Sequence, residues 1–225
     1  MSMPFYVSPE QVIADKVKFA KNGIAQGRSI VAMQYAEGIL LAAENQSRLL
    51  HKISEIYDCI AFAGVGKYNE FDSLRQAGVR SADIKGYQYS REDVDARSLA
   101  SSYGQILGQI FTHEMKPYEV EILVAEVGDT PESDELYFVQ FNGVVVDQSH
   151  FTVLGGESEN ILERVKTAWS ENLSLADALK AAVAALAGPD RTLAASDMEI
   201  GVLDRALSRR KFRRLEDDDI ASLLG

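Results

Sequence analysis

Four short apolar runs packed into residues 27–66 constrain the fold more than any other feature of the chain. Residues 28–35 lead into the turn Ala36-Glu37-Gly38, which returns the chain along residues 39–44. Residues 52–57 and 59–63 follow, with Asp58 alone between them. Short apolar runs bounded by turn residues mark strands buried on both faces. The segment therefore reads as two β-hairpins back to back, and Gly64 and Gly66 read as a glycine pair that opens a helix.

In front of this block, Ser8-Pro9-Glu10-Gln11 has the form of a helix start. Ser8 can cap, Pro9 suits the first helical position, and Gln11 completes a capping box. Ile13, Val17, Ala20 and Ile24 fall on one stripe, with Gly23 as the stop. Behind the block, a helix carrying Phe71 and Leu74 fades near Gly78, residues 84–88 connect, and Ser90 caps a long helix to about Met115. Strands return at 120–125 and 136–141. Asn142-Gly143 turns the chain into 144–146, since both positions tolerate positive φ, and 151–154 runs to Gly155-Gly156. Helices are expected over 159–172 and, capped by Ser174, over 175–186. Strands at 198–203 and 211–215 and a short helix over 216–224 close the chain.

Nearly every strand connection is a hairpin, and helix pairs follow the strand blocks. The expected class is α+β: a four-layer α-β-β-α sandwich with two largely antiparallel sheets between helix pairs. The expected organisation is an N-terminal arm over 1–7, a leading helix over 8–26, the sandwich domain over 27–215 and a C-terminal helix and tail over 216–225. At 225 residues one large domain with a full core is ordinary.

Charge and cysteine usage narrow the setting. A net charge of −11 argues against a general nucleic-acid or anionic-membrane binder. The single cysteine, Cys59, forms no internal disulfide, which suits a reducing cytoplasm. No apolar stretch approaches the roughly 20 residues that span a bilayer, and the first residues lack a signal-peptide pattern. A cytoplasmic protein with neither nucleic acid nor membrane as partner is expected.

Several runs carry more than secondary structure. They are the Ser8-Pro9 helix start, Gly27-Arg28-Ser29, the run Ala36-Glu37-Gly38-Ile39-Leu40-Leu41-Ala42-Ala43, and Lys52-Ile53-Ser54-Glu55-Ile56. Together they resemble the α-subunits of the 20S proteasome, in the Ntn-hydrolase superfamily, along essentially the whole chain. Tyr6-Val7-Ser8-Pro9-Glu10-Gln11 and Lys116-Pro117-Tyr118-Glu119-Val120-Glu121 are most similar to the actinobacterial branch. The resemblance implies an Ntn-hydrolase fold, a ring of seven copies, and stacking on rings of β-subunits that form a threonine protease.

It also implies that this subunit is not the protease, and the residues agree. Ntn-hydrolase chemistry needs a Thr, Ser or Cys whose own α-amino group acts as the base. By resemblance the catalytic subunits place their threonine at the start of the first strand, where this chain has Arg28 behind an arm and a capped helix. The alternative is a self-processing Ntn-type amidohydrolase that frees Ser29 by cleavage after Arg28.

The resemblance assigns Lys52, with Gly66 and Arg28, to a pocket between neighbouring subunits that receives the C-terminal tail of a hexameric ATPase activator. An ammonium on a flexible stem suits a chain-terminal carboxylate. By spacing alone Lys52 reads as a strand lysine facing water or a neighbouring carboxylate; the pocket rests on the resemblance. The same resemblance makes Met3, Pro4, Phe5, Tyr6, Val7, Ser8 and Pro9 a gate over the axial pore, through which unfolded protein substrates pass. The plain alternative for these residues is a disordered terminus. Phe19 stands where archaeal and eukaryotic relatives have a tyrosine, and the arm lacks their aspartate, so a different gate geometry is expected. In the actinobacterial system the resemblance implies substrates tagged with a small ubiquitin-like modifier.

Other motifs carry less. Gly64-Val65-Gly66-Lys67 departs from a phosphate-binding loop at Ala61 and Tyr68. His51, His113, His150 and Cys59 share no ligand spacing, so neither metal nor cofactor is expected. Cys59 reads as a small hydrophobe, Trp169 as a core or helix-pair residue, and the acidic loop 129–135 as solvated. The basic cluster Arg205, Arg209, Arg210, Lys211, Arg213 and Arg214 is expected to pair across subunits or locally, with Glu216, Asp217, Asp218 and Asp219 beside it.

Overall fold

The structure is a computed structural model and describes residues 8–225. Both hairpins of the 27–66 block form, one in each of two sheets. β1 (Ile30–Tyr35) and β2 (Gly38–Glu44) pair antiparallel with Ile30 opposite Ala43, and every residue of both is buried. β3 (Ile53–Tyr57) and β4 (Ile60–Gly66) pair in the second sheet. β5 (Val120–Glu126), β6 (Glu135–Val139) and β7 (Val145–Gln148) extend it in the order β3-β4-β5-β6-β7. β8 (Phe151–Leu154), β9 (Met198–Asp204) and β10 (Phe212–Leu215) complete the first sheet as β10-β9-β2-β1-β8. All of these pairings are antiparallel.

Strand alternation explains burial on both faces. Successive side chains of a strand point to opposite sides of the sheet. Ile30 and Ala32 enter a layer between the sheets with Ala61, Ala63, Leu123 and Ala125. Val31, Met33 and Tyr35 face the other way, onto Leu179 and Ala182 of α5 (Leu175–Ala187). α4 (Ser158–Ala168) and α6 (Asp217–Leu224) join that outer layer through Ile161, Val165 and Ile220. α2 (Tyr68–Gln88) and α3 (Ala96–His113) cover the second sheet with Phe71, Leu74, Leu99, Tyr103 and Leu107. The result is the four-layer α-β-β-α sandwich that the element order indicates.

α1 (Pro9–Ala25) closes one end of the inter-sheet layer with Ala20 and Ile24. Ser8 caps it as expected, its Oγ accepting from the Gln11 amide nitrogen at 3.2 Å. The capping box does not close, because the Gln11 side chain bonds Asp15 Oδ1 instead, at 2.8 Å. The apolar stripe is buried only in its second half: Ile13 is 53% exposed. Burying Ala20 and Ile24 is worth about 3 kcal/mol, a light anchor for a helix of 17 residues. Gly23 is not the stop, since the helix runs two residues further and the Glu119 side chain packs against Gly23.

Other element ends also differ from the sequence reading. Gly64 and Gly66 lie inside β4, and the helix begins at Tyr68. α2 continues through Gly78 to Gln88, so 84–88 is helix and not a connection. A Cβ at Gly78 would overlap the Tyr103 hydroxyl, so this glycine permits close approach of α3 and does not end a helix. Ser90 caps only the 3-10 turn Arg91–Asp93, whereas Asp95 caps α3 by accepting from the Ser98 nitrogen at 2.7 Å. α3 stops at His113, short of Met115, and α4 stops at Ala168, short of residue 172. In the Asn142-Gly143 turn only Gly143 has positive φ, 87°.

Candidate functional site

Antiparallel pairing brings the start of β1, the end of β2 and the start of β3 to one edge of the sandwich. Lys52, just before β3, spans the two sheets there. Its Nζ donates to the Arg28 carbonyl at 3.2 Å and to the Glu44 carbonyl at 3.0 Å. An ammonium has three N–H groups, so one remains. Burial pulls the Lys52 pKa down to about 8; Glu199 and Glu44 oppose that shift, and Arg28 adds to it.

Two buried carboxylates that the sequence reading missed hold this edge together. Glu199, on β9, accepts from the Lys52 nitrogen at 2.9 Å, the Ile53 nitrogen at 3.1 Å and Asn45 Nδ2 at 2.7 Å. Its remaining capacity goes to the Arg214 guanidinium, with His51 Nδ1 at 3.3 Å. Glu44 takes Arg191 Nη1 at 3.1 and 3.2 Å, with Arg28 Nε at 3.4 Å. A charged residue inside an otherwise apolar strand needs a partner when buried, and that was the available signal for both.

Gly66 sits two residues beyond Gly64, whose nitrogen donates to the Lys52 carbonyl at 3.0 Å. Its φ is 105°, and a Cβ there would overlap the Glu119 carbonyl oxygen. The neighbouring main chain therefore requires glycine at 66 whether or not a ligand approaches. Ser8 and Pro9 start α1. Met3, Pro4, Phe5, Tyr6 and Val7 lie outside the described residues. Ser29 is 7% exposed and lies between Arg28 and the start of β1.

A second network ties α1 to this edge. Buried Glu70, in the first turn of α2, accepts from Lys116 Nζ at 2.6 Å and from the Glu119 nitrogen at 2.7 Å. Lys116 also pairs with Glu119 at 2.9 Å and lies over the Phe19 ring, 5.5 Å from its centroid. Residues 116–119 are thus fixed between α1 and α2, next to Gly66.

The remaining candidate residues find structural roles. The Cys59 thiol lies 3.6 Å from Glu126 Oε1 and is pushed up to about 12, first by burial. Trp169 follows α4, stacks on His150 with centroids 4.5 Å apart and donates to the Gln34 carbonyl at 3.0 Å. The acidic loop is not simply solvated: the Asp134 side chain is 2% exposed and grips Arg205 at 2.8 and 3.0 Å. The basic cluster pairs partly across its own β9–β10 hairpin, as expected, and partly with residues farther off in sequence. Arg210 meets Glu55, Arg213 meets Asp204 and Arg214 meets Glu199, while Asp217 pairs with Arg48. Among the described residues no three His, Cys, Asp or Glu side chains gather as metal ligands, and no helix is long and apolar enough to cross a membrane.

The sequence profile of the family described as "Proteasome subunit" matches residues 24–203, from the end of α1 almost to the end of β9. The chain belongs to the proteasome subunit family. It is 52% identical over 227 residues to "Proteasome subunit alpha" of Thermobifida fusca, covering all of this chain and 91% of that one. It is 54% identical to the protein of the same name from Xylanimonas cellulosilytica, covering 96% and 93% of the two chains. Against that of Arthrobacter sp. strain FB24 the identity is 54%, covering 100% and 98%. The chain is thus a proteasome α-subunit of actinobacterial type, the non-catalytic kind, and takes part in protein degradation. In this proteasome subunit Arg28 stands two residues before β1, and Lys52 is bonded to its main-chain carbonyl and to that of Glu44.

Proposed function

We propose that the chain builds the seven-membered outer rings of a cytoplasmic proteasome core, gates entry to the chamber of the β-subunit threonine protease, and docks a hexameric ATPase. Met3 to Pro9 form the gate. Unfolded proteins, marked by a small ubiquitin-like modifier, pass through it. The C-terminal carboxylate of the ATPase tail meets Lys52, and Arg28 and Gly66 belong to the same pocket.

One observation supports the docking reading most: the Lys52 ammonium is fixed at the edge by two carbonyls and keeps its third N–H. Pre-positioning reduces the ordering cost of capturing a carboxylate. The exposure of the first turns of α1, Val12 at 42% and Ile13 at 53%, supports the gating reading, since the stretch next to the arm is free to shift while the second half of the helix stays packed.

Reconstitution with the matching β-subunit tests this function. Deleting residues 2–7 is expected to speed hydrolysis of long peptides and leave that of short ones unchanged, with all activity lost when the β-subunit threonine is replaced. Long-peptide turnover unaltered by the deletion would overturn the gate.

A further inference from the structure

Three charged side chains meet where α1 passes over residues 116–119. Lys116 gives its N–H groups to Glu70 Oε1 at 2.6 Å, Glu119 Oε2 at 2.9 Å and the Pro117 carbonyl at 3.2 Å. Its ammonium also lies over the Phe19 ring of α1. Burial works against the charge, but the hydrogen bonds to Glu70 and Glu119 more than offset it and the pKa is raised. Lys116 is therefore a cation at neutral pH.

The two carboxylates have different neighbours. Glu70 is buried, and its second oxygen takes the Glu119 nitrogen at 2.7 Å. Glu119 turns its other oxygen, Oε1, onto α1 at Gly23, where a Cβ would overlap it. Its carbonyl accepts from the Lys67 nitrogen at 3.0 Å and abuts Gly66. Glu119 thus touches α1, the start of α2 and the end of β4.

Charge decides what holds this junction. Both carboxylates sit within hydrogen-bond distance of one nitrogen, so without Lys116 they would face each other, and Glu70 is buried. Like charges that close repel, and a buried charge stripped of its partner is costly. Apolar packing on this face of α1 does not replace the cation. Phe19 is 46% exposed, and Val12 and Phe19 line an open groove of about 490 Å3 together with Met115, Lys116 and Pro117.

We propose that Lys116 is a latch that positions α1, because it keeps Glu119 folded back onto Gly23. Without the ammonium, Glu119 turns away from Glu70 and releases the second half of the helix. α1 leads into the arm at Ser8, so the direction of the helix sets where the arm begins. That consequence at the pore rests on the gating reading; the latch itself does not.

Hydrogen–deuterium exchange of the complex with the β-subunit reads the latch, and long-peptide hydrolysis by the same complex reads the gate. Lys116→Met keeps a long side chain and removes the charge. It should speed amide exchange over residues 19–25 about tenfold or more, as expected for lost hydrogen bonds between charged groups, and should speed long-peptide hydrolysis. Lys116→Arg should behave as the parent chain. Lys116→Met combined with Glu119→Gln should return toward the parent, because the repulsion is gone; two losses of mere packing would instead add. Unchanged exchange in Lys116→Met, or a double variant that exchanges faster than the single one, would overturn the latch. Failure of both to assemble would do the same, whereas assembly regained in the double variant supports it. Faster exchange without faster hydrolysis, where deleting residues 2–7 does speed hydrolysis, would overturn the link from latch to gate. If that deletion has no effect either, the gating reading falls and the latch stands on exchange.

Discussion

Replacing Lys52 by alanine should separate ATPase-driven protein degradation from small-peptide hydrolysis. The Nζ gives two N–H groups to the Arg28 and Glu44 carbonyls, at 3.2 and 3.0 Å, and keeps one for a tail carboxylate. A hydrogen bond to a charged group is worth about 1.5–3 kcal/mol, so its loss should lower tail affinity roughly 10- to 100-fold. The structural cost at this partly buried position is about 1 kcal/mol for each of the two carbonyls that loses its donor.

The pH dependence sharpens the test. With the folded-state pKa pulled down to about 8, the ammonium loses its proton above that value. Tail affinity should then fall by up to about tenfold per pH unit, while Lys52→Arg, which stays charged, should show no such decline. Stability moves the opposite way. Between about 8 and the ordinary 10.5 the unfolded chain binds more protons than the folded one, so this group's contribution to unfolding free energy rises with pH. Binding that weakens while the fold strengthens cannot be alkaline unfolding. The assay is tail-peptide affinity by fluorescence anisotropy from pH 7 to 9.5, beside degradation of a tagged protein and of a short fluorogenic peptide. A flat affinity profile, or equal loss of both activities in Lys52→Ala, would refute the reasoning.

Two further substitutions probe the frame around the site. Arg205→Ala leaves the buried Asp134 carboxylate with Gln34 Nε2 and the Gly128 nitrogen as its partners, and should cost about 3–5 kcal/mol; a loss under about 1 kcal/mol in urea melts contradicts the burial described. Gly66→Ala meets both a φ of 105° and the Glu119 carbonyl, and should cost at least about 1–3 kcal/mol; an unchanged melting temperature would show that the β4–β5 end relaxes freely.

The strands were legible because their apolar runs are short and end on turn residues, and the layer order followed from hairpins alternating with helix pairs. Glycine was the ambiguous letter. Gly23, Gly78 and the Gly64–Gly66 pair looked like boundaries, but each lies inside an element. At Gly23 and Gly78 the reason is a side chain from elsewhere, Glu119 or Tyr103. No local pattern tells such close approach from a helix stop. The α3 cap is ambiguous for a related reason: Ser90 and Asp95 are both good caps, and Asp95 is the one that also meets a side chain from another helix, Lys85 of α2, at 2.8 Å.

Lys52 was found through resemblance, yet its supports were not. Glu44, Glu199 and Arg191 come from separate segments and meet only once β2, β9 and the loop after α5 are in place. Charge pairing shows the same limit. Arg210 finds Glu55 across the fold and Arg214 finds Glu199 across its own hairpin, and not the acidic run beside them in sequence.

Native mass spectrometry of the chain co-expressed with its β-subunit tests the central claim most directly. The account predicts one assembly holding both chains, in which this one contributes multiples of seven copies of 24.8 kDa and stays uncleaved at the Arg28–Ser29 bond. A lone chain trimmed to begin at Ser29, or a complex free of β-subunit, would contradict it.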